Sequence, residues 1–513
     1  MSHQPSQQPD HRSAGQPREI ELKLTVPAAS VDALLAHPVL QAAAPPDRRR
    51  EVTVYFDTPD QALAQHGMSL RIRHRNDRRI QTLKLDRGAG VAADRGEWEW
   101  PVEQDEPDLH LLRRTPAADK LPRRTGLAPV VTSEIDRTVR LLKLPDSTVI
   151  EAAFDEGVIA AGDTRQPVRE LELELREGDP AALYRLALQL HSDIPLTVES
   201  ESKAARGDRL RSGAKPAAHR TEAVELEPTA SAALAFRRIL SAELGHLLAN
   251  RPAARAGDAE GVHQMRVAVR RLRAALTLFQ PHLEPHTAAL FQDELRRLGR
   301  VFGEARDWDV FCLQTLPETL EAADAAGWRD LLLEPATEAR EIAHRRFEEQ
   351  LEAPSFTALV LGLAAWAEQR NLLGDAELDR PIKDVCAGLL DRLARKVERR
   401  GRHIAHRSDA ERHALRKSLK KLRYGIEYLQ AVFSSKPVHA YLHGCKDLQQ
   451  SLGDMNDAVT ATALADLLVD GTRPDLAPAA GALAEQLGRR REHALHHLER
   501  QWHEFRAEPR FWA

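Results

Sequence analysis

Cysteine is scarce in this 513-residue chain, which has only Cys312, Cys386 and Cys445. They are too few for a disulfide framework and too scattered for a thiolate metal site, so buried free thiols in a reducing compartment are expected. Long apolar runs are missing as well. None approaches the ~20 residues of a membrane-spanning helix, and residues 1–17, polar and rich in Gln and Pro, lack a signal-peptide core. The expectation is a disordered tail over 1–17 and a soluble, cytoplasmic protein. Aromatic residues make up 5% of the chain, and no interleaving with the basic clusters below is read, which removes the stacking platforms that single-stranded nucleic acids use. An excess of charge of one sign is lacking too, since 73 Lys and Arg against 77 Asp and Glu leave a formal −4. Any polyanion must then be held by local clusters and not by a general positive potential.

What the chain has is charge sorted by sign onto strands. Glu19-Ile20-Glu21-Leu22-Lys23 alternates with a period of two, so two carboxylates and an ammonium share one face and apolar residues the other. Carboxylates so close repel unless a divalent cation lies between them. Met68 to Arg75 places Arg71, Arg73 and Arg75 on one side, and Gln81 to Leu85 adds Lys84. Glu97-Trp98-Glu99-Trp100 supplies an acidic pair, and Arg169 to Leu175 turns Glu170, Glu172 and Glu174 to one face. Faces of chosen sign suit a barrel whose apolar residues pack outward against helices and whose lumen holds charge.

This ordered set resembles the CYTH superfamily of triphosphate tunnel metalloenzymes. The family motif Glu-x-Glu-x-Lys is matched by Glu19, Glu21 and Lys23, the later paired arginines by Arg71 and Arg73, and the following strand lysine by Lys84. Arg137, the Glu170, Glu172, Glu174 strand and Lys203 in Glu201-Ser202-Lys203 complete the pattern. The resemblance implies an eight-stranded antiparallel tunnel over 18–207, with Lys23, Arg71, Arg73, Lys84, Arg137 and Lys203 on a triphosphate. It also implies Glu19, Glu21 and two of Glu170, Glu172 and Glu174 on Mg2+ or Mn2+, with Glu19, Glu21 and Lys23 as the catalytic group. The chemistry agrees: guanidinium forks bind phosphate oxygens bidentately, and hard carboxylate oxygens suit Mg or Mn. Glu97 and Arg206 are further candidates, for the site or for a structural ion pair. Asp155 is read either as reaching the metal or as a turn former before Glu156-Gly157.

Beyond residue 228 the alternation gives way to long Ala-, Leu-, Arg- and Glu-rich segments with helical period. The polar stretch 208–228 reads as a linker, and 229–513 as an all-α domain. The fold class is thus α+β and multidomain. A constant shift of 150 residues carries His263, Arg266, Arg270 and Arg273 onto His413, Arg416, Lys420 and Arg423, and Arg296 onto Lys446. Gly303 and Asp307 map in the same way onto Gly453 and Asp457. Two helical bundles of one ancestry, about 229–372 and 375–513 and related by an approximate twofold, are expected. On each motif helix the apolar stripe (Val262, Met265, Val269, Leu272, Leu276; Leu415, Leu419, Leu422, Ile426) is bordered by a basic stripe. Aligned cations repel, a cost that an anionic ligand offsets.

The doubled motif resembles the CHAD domain, a helical module often fused behind a CYTH domain. The resemblance implies inorganic polyphosphate as ligand, held by His263, Arg266, Arg270, Arg273, Arg296, His413, Arg416, Lys420, Arg423 and Lys446. Nucleic acid ranks below it. The expected function is metal-dependent cleavage of inorganic triphosphate to pyrophosphate and phosphate, with polyphosphate binding and association with polyphosphate granules. Adenylate cyclase, thiamine triphosphatase and a non-catalytic polyphosphate binder are the alternatives.

Overall fold

A computed structural model describes residues 18–43, 45–86, 90–121, 126–321, 326–369, 376–469 and 473–512. The expected tail over 1–17 lies outside them, as does the junction near 372–375. The chain divides after Ala214 into two compact units.

The first unit is a barrel. Its strands are β1 (Arg18–Thr25), β2 (Asp47–Asp57), β3 (Met68–Arg75), β4 (Arg78–Asp86), β5 (Ala93–Val102), β6 (Ala128–Lys143), β7 (Val149–Ala161), β8 (Thr164–Glu177) and the two-residue β9 (Thr197–Val198). They lie in the order β5-β4-β3-β2-β6-β7-β8-β1-β9, and β5 pairs back onto β1, which closes eight strands into a ring. Every pairing is antiparallel. The short β9 joins Leu24 and Thr25, where β1 has run past β5.

The alternation read from the sequence sets which side is wet. Leu22, Leu24, Leu171 and Leu173 are buried to within 1% on the outer face, where helix α1 (Pro180–Asp193) lies against β8 and β1. Burying side chains of this size contributes roughly 1.5–3 kcal/mol each. On the opposite flank Phe56, Leu70, Ile72 and Leu83 pack with Leu63 and Leu112 from two short helices, edged by Trp98 and Trp100. With apolar residues on the outside, the residues that alternate with them point into the lumen.

Helix α2 (Lys203–Ser212) begins where the Ser202 hydroxyl accepts from the Ala205 N–H and ends at Gly213 in the left-handed region. It packs on β6 and β7. Its closest approach is at Gly207, where any Cβ would collide with the Val131 side chain. The expected linker over 208–228 is therefore not one loose segment. Residues 208–212 finish α2, while in the second unit Val224 and Leu226 are buried and the His219 N–H donates to Asn250 Oδ1 at 2.8 Å. Spaced apolar residues and one amide partner tie down a stretch whose composition looked too polar to fold.

The second unit is helical: α3 (Ala232–Ala249), α4 (Ala259–Phe279), α5 (Pro285–Val310), α6 (Ala326–Glu352), α7 (Pro354–Glu368), α8 (Ile382–Gly401), α9 (Asp409–Leu429), α10 (Ser435–Val469) and α11 (Ala477–Ala507). The 150-residue shift carries the first residues of α3, α4 and α5 onto those of α8, α9 and α10. Asp258 caps α4, and Ser408 with Glu411 forms a capping box on α9. The apolar stripes of both motif helices are buried to within 1%. Two contacts identify the twofold. Ser231 and Pro381, shift-mates of each other, form an isolated bridge, and Arg271 meets Glu427 just as its mate Lys421 meets Thr277, the mate of Glu427.

Gly207→Ala should destabilise the first unit by about 1–3 kcal/mol, because a methyl must displace packed side chains. A shift of the urea unfolding midpoint, with activity normalised to folded protein, measures it.

Candidate active site and basic groove

The barrel encloses a cavity of about 280 Å³ into which β1 turns Glu19, Glu21 and Lys23, β3 Arg71 and Arg73, β4 Lys84 and β5 Glu97. Arg137, Asp155, Glu172 and Glu174 enter from β6, β7 and β8, and Lys203 from the first turn of α2. The cations are held by lumen carboxylates. Lys84 Nζ donates to Glu19 at 2.8 Å, and Lys23 Nζ to Glu21 at 2.8 Å and Glu172 at 3.2 Å. Arg137 grips Asp155 with two bonds of 2.6 Å and also reaches Glu172. Lys203 Nζ lies 2.8 Å from Asp155 and 2.7 Å from Glu172. Arg71 and Arg73 are the least satisfied, each with a buried Nε that makes no hydrogen bond among the described residues, although that of Arg73 lies 3.4 Å from the Glu51 carboxylate. Burial, then Arg71 and Arg137, push Arg73 below the ordinary guanidinium range. These are features of a site built for further anionic oxygens.

The ladders place the acids. Across β1 and β8, Glu21 stands opposite Glu174 and Lys23 opposite Glu172. Like charges directly opposite are unfavourable. Burial, with Glu19, Glu21 and Glu151 working against Arg176, pushes the Glu174 carboxyl up to about 8. Although burial opposes it, Glu172 is held well below the carboxylate range by Lys203, Lys23 and Arg137. Among the described residues no three carboxylate, imidazole or thiol groups are already gathered as a metal cage, since Glu19, Glu21 and Glu172 are drawn to lysines.

Strand β2 contributes residues that the sequence reading missed. Arg49, Glu51 and Tyr55 line the cavity. Glu51 takes an Arg49 Nε bond of 2.7 Å and lies 3.4 Å from Arg73. Burial notwithstanding, Arg71, Lys203 and Arg73 hold the Tyr55 phenol below its ordinary range. The only available signal was the period-two spacing of 49, 51, 53 and 55, hidden because its signs are mixed.

In the helical unit α4 and α9 run antiparallel, with Arg271 beside Glu427 and Thr277 beside Lys421. Arg266, Arg270, Arg416 and Lys420 converge there. Arg266 pairs with Asp307 at 2.6 Å and lies over Gly303; Arg416 stands 3.7 Å from Asp457 and over Gly453. Arg270 Nε donates to the Tyr424 hydroxyl at 2.7 Å. Burial first, then Arg270, Arg416 and Arg266, drives the Lys420 ammonium down to about 6. Burial and Arg306 bring His263 to about 4, so it is neutral.

Residues 17–207 match the model of the CYTH domain, and residues 238–466 that of the CHAD domain. The chain carries a CYTH domain followed by a CHAD domain. Over 161 residues it is 36% identical to an inorganic triphosphatase of Haemophilus influenzae, a match covering 31% of this chain and 45% of that protein. The chain thus spans less than half the length of that relative. It is 26% identical over 441 residues to an uncharacterized protein of Mycobacterium tuberculosis, with 80% of each covered. The crystal structure of a CHAD domain from the plant Ricinus communis aligns with 57% of this chain and 98% of its own, at 28% identity and a TM-score of 0.48.

Several expectations change on the CYTH domain. Glu170 is buried against Lys203 and Arg206 and does not line the cavity. It neutralises two buried cations under α2, leaving Glu172 and Glu174 as the lumen pair from β8. Arg206 is accordingly a structural partner of Glu170. Glu97 lines the cavity 3.3 Å from Lys84 and 3.5 Å from Arg71. Asp155 is neither a turn former nor free, but mid-strand in β7 between Arg137 and Lys203.

On the CHAD domain the ten expected polyphosphate residues do not form one cluster. Arg273 and Arg296 lie beyond the helix crossing near Lys421, Arg423 is 3.5 Å from Glu427, and Lys446 is exposed. Two helices that cross can share only part of their stripes. His413 bonds Asn456 where His263 faces Arg306. An aromatic does interleave with the second stripe, Tyr424, but it is 2% exposed and covered by Arg270, Arg271 and Arg423. It offers no open face to a base. The three cysteines are buried and free, and no helix among the described residues is long and apolar enough to cross a membrane.

A carboxyl whose folded pKa is raised withdraws stability as pH climbs from its unfolded value through the folded one. With chelator present, Glu174→Gln should therefore raise the melting temperature of the CYTH domain above pH 8 and leave it near the parent value at pH 4.5. Melting curves at the two pH values check this.

Proposed function

We propose that the CYTH domain hydrolyses inorganic triphosphate to pyrophosphate and phosphate with the help of a divalent cation, Mg2+ or Mn2+, and that the CHAD domain binds inorganic polyphosphate. The observation that supports the reading is the lumen of a closed barrel in which arginines and lysines face carboxylates matched across neighbouring strands. The identity to a protein named an inorganic triphosphatase, which falls over part of the chain, favours this substrate over others.

The donor set fits a hard cation. Glu19 and Glu21 on β1 and Glu174 on β8, with Glu172 one step along the ladder, offer only carboxylate oxygens, and Glu21 stands directly opposite Glu174, the first paired with Lys23 and the second with Arg176. When bound there, a divalent ion would neutralise charge on the phosphoryl group and lower the pKa of a coordinated water. The remaining work falls to the chain. Arg71 and Arg73 have Nε donors without a hydrogen bond for phosphate oxygens, and Lys203 and Arg137, which share Glu172 with Lys23, are placed to hold the rest of the phosphate chain. Triphosphate oxygens compete for Lys84 and Lys23 and so release Glu19 and Glu21 from their ion pairs. Binding of the anion thereby frees the carboxylates that the cation needs. Water adds to the terminal phosphorus, the bond to the bridging oxygen breaks, and pyrophosphate leaves with its charge held by the same cations. Preformed positions in a narrow lumen supply the orientation.

In the CHAD domain the convergence of Arg266, Arg270, Arg416 and Lys420 supports a linear polyanion, because its oxygens restore the counter-charge that the Lys420 ammonium lacks. Mixed outcomes on other triphosphates separate the enzyme readings. With Mg2+ or Mn2+, the protein should release phosphate and pyrophosphate from inorganic triphosphate, and Glu21→Gln should lower kcat by at least ~100-fold while the melting curve stays cooperative. Parallel assays follow ATP, thiamine triphosphate and cyclic AMP. Undiminished turnover in Glu21→Gln overturns the site, and cyclic AMP as the main product overturns the reaction.

Polyphosphate binding at pH 7.5 should draw protons from buffer, since a ligand that recharges Lys420 raises its pKa from about 6. Calorimetric enthalpies measured in buffers of different ionisation heat should vary linearly, with a slope that Lys420→Arg diminishes.

A further inference from the structure

The halves of the CHAD domain are not equally neutral. On one side of the twofold the Arg271 guanidinium is enclosed: it donates to Glu243 Oε1 at 2.7 Å and Glu427 Oε2 at 2.6 Å, and the Tyr424 and Tyr428 rings lie against it. The 150-residue shift carries Arg271 onto Lys421, but it exchanges Glu427 for Thr277 and Glu243 for Leu393. The cation is kept while both acids are lost. Lys421 Nζ has the Thr277 hydroxyl at 3.1 Å in place of a carboxylate. Helix α8 then adds charge where its mate α3 has none, with Arg392, Lys396 and Arg400 at the positions of Ala242, His246 and Asn250.

These residues act on one another. After burial, Arg273, Lys396, Arg400 and Arg296 bring the Lys421 ammonium down to about 8. Among the described residues no carboxylate forms an ion pair with Lys421, Lys396, Arg392 or Arg273. The nearby acids are engaged elsewhere, Asp293 with Arg296 and Asp391 with Arg395, Arg510 and the Trp512 indole. Arg392 donates to the carbonyls of Thr277 and Leu278, and Arg400 to Ala414 O and Ser418 Oγ. The Nε atoms of Arg273 and Arg392 are buried and make no hydrogen bond among the described residues. An open pocket along α8, lined by Gly388, Asp391, Arg392, Arg395, Lys396 and Arg399, brings Arg392 and Lys396 to solvent. Unpaired, half-buried cations lower stability, and the first half removes that cost with two carboxylates. In the second half the buried Leu393 and the Thr277 hydroxyl stand where those carboxylates are, and neither supplies Lys421 with a counter-charge.

We propose that this off-axis cluster, built by Arg273, Arg392, Lys396, Arg400 and Lys421, is a second anion site present in one half of the CHAD domain and specific for condensed inorganic phosphate. It is separate from the groove of Arg266, Arg270, Arg416 and Lys420. The assignment rests on the reading of this domain as a phosphate-chain binder. Compact, rotatable ammonium groups beside guanidinium forks suit the closely spaced oxygens of a phosphate chain. With two separated sites, a long chain that reaches both gains avidity that a short one does not.

The test uses the full chain and isothermal titration with long-chain polyphosphate and with pyrophosphate at several salt concentrations. Thr277→Glu places the missing carboxylate beside Lys421, as Glu427 stands beside Arg271. It should leave the melting temperature equal or higher, weaken long-chain binding by at least ~10-fold, and reduce the salt slope by about 1–2. A Lys396→Ala/Lys421→Ala variant should reproduce the loss without relying on a new carboxylate. An Arg266→Ala/Arg270→Ala variant should keep residual binding that the added Thr277→Glu abolishes. Parent affinity and salt slope in folded Thr277→Glu and Lys396→Ala/Lys421→Ala overturn the second site while the groove stands. A parent that binds no polyphosphate overturns both, and equal affinity for single-stranded DNA of the same charge overturns the ligand class.

Discussion

Both units depend on one constraint: a charge taken out of water must meet its opposite. In the barrel nearly every inward cation has a carboxylate at ion-pair distance. Asp155 is an extreme case, fully buried yet shared by Arg137 and Lys203. Neither charge could be kept there alone, because an unpaired buried ion costs several kcal/mol. The same pairing makes the lumen exchangeable. Carboxylates that hold lysines in the lumen compensate those buried charges, and they are the acids that the proposed divalent cation would take.

The helical unit applies the constraint less evenly. Arg271 is enclosed by two glutamates and two tyrosine rings, whereas Lys420 and Lys421 are held among other cations and lose proton affinity in consequence. An interior that tolerates such uncompensated charge is weakly stabilised locally but pre-organised for polyanions. Repetition explains how it arose in the structure: two copies of one basic stripe, brought together by a twofold, concentrate cations at the axis whatever each copy does alone. Departure from repetition, as at Thr277 and Leu393, then distinguishes one half from the other.

Much of this was legible in the sequence. Period-two alternation placed Glu19, Glu21, Lys23, Arg71, Arg73 and Lys84 on inward faces, and β3 begins and ends at the residues expected, Met68 and Arg75. The 150-residue repeat foretold the correspondence of α4 and α5 with α9 and α10, and the structure extends it to α3 and α8. What escaped notice has a common cause. Glu51 and Tyr55 sit on a strand whose signs are mixed, so alternation alone does not mark it, and the stretch 208–228 looked like a linker because its apolar residues are sparse.

The sequence by itself determined which residues could share a face, because strand and helix periods are fixed by backbone geometry. It therefore determined the charged lumen, the buried leucines and the two basic stripes. Only the tertiary structure decided who meets whom across those faces. The pairing of β1 with β8 sets Glu21 opposite Glu174, α2 lowers Lys203 and Arg206 onto Glu170 and withdraws that carboxylate from the cavity, and the crossing of α4 with α9 divides one apparent stripe into an axial groove and an off-axis cluster. Such pairings depend on register and crossing angle, which are set by the packing of elements far apart in the chain.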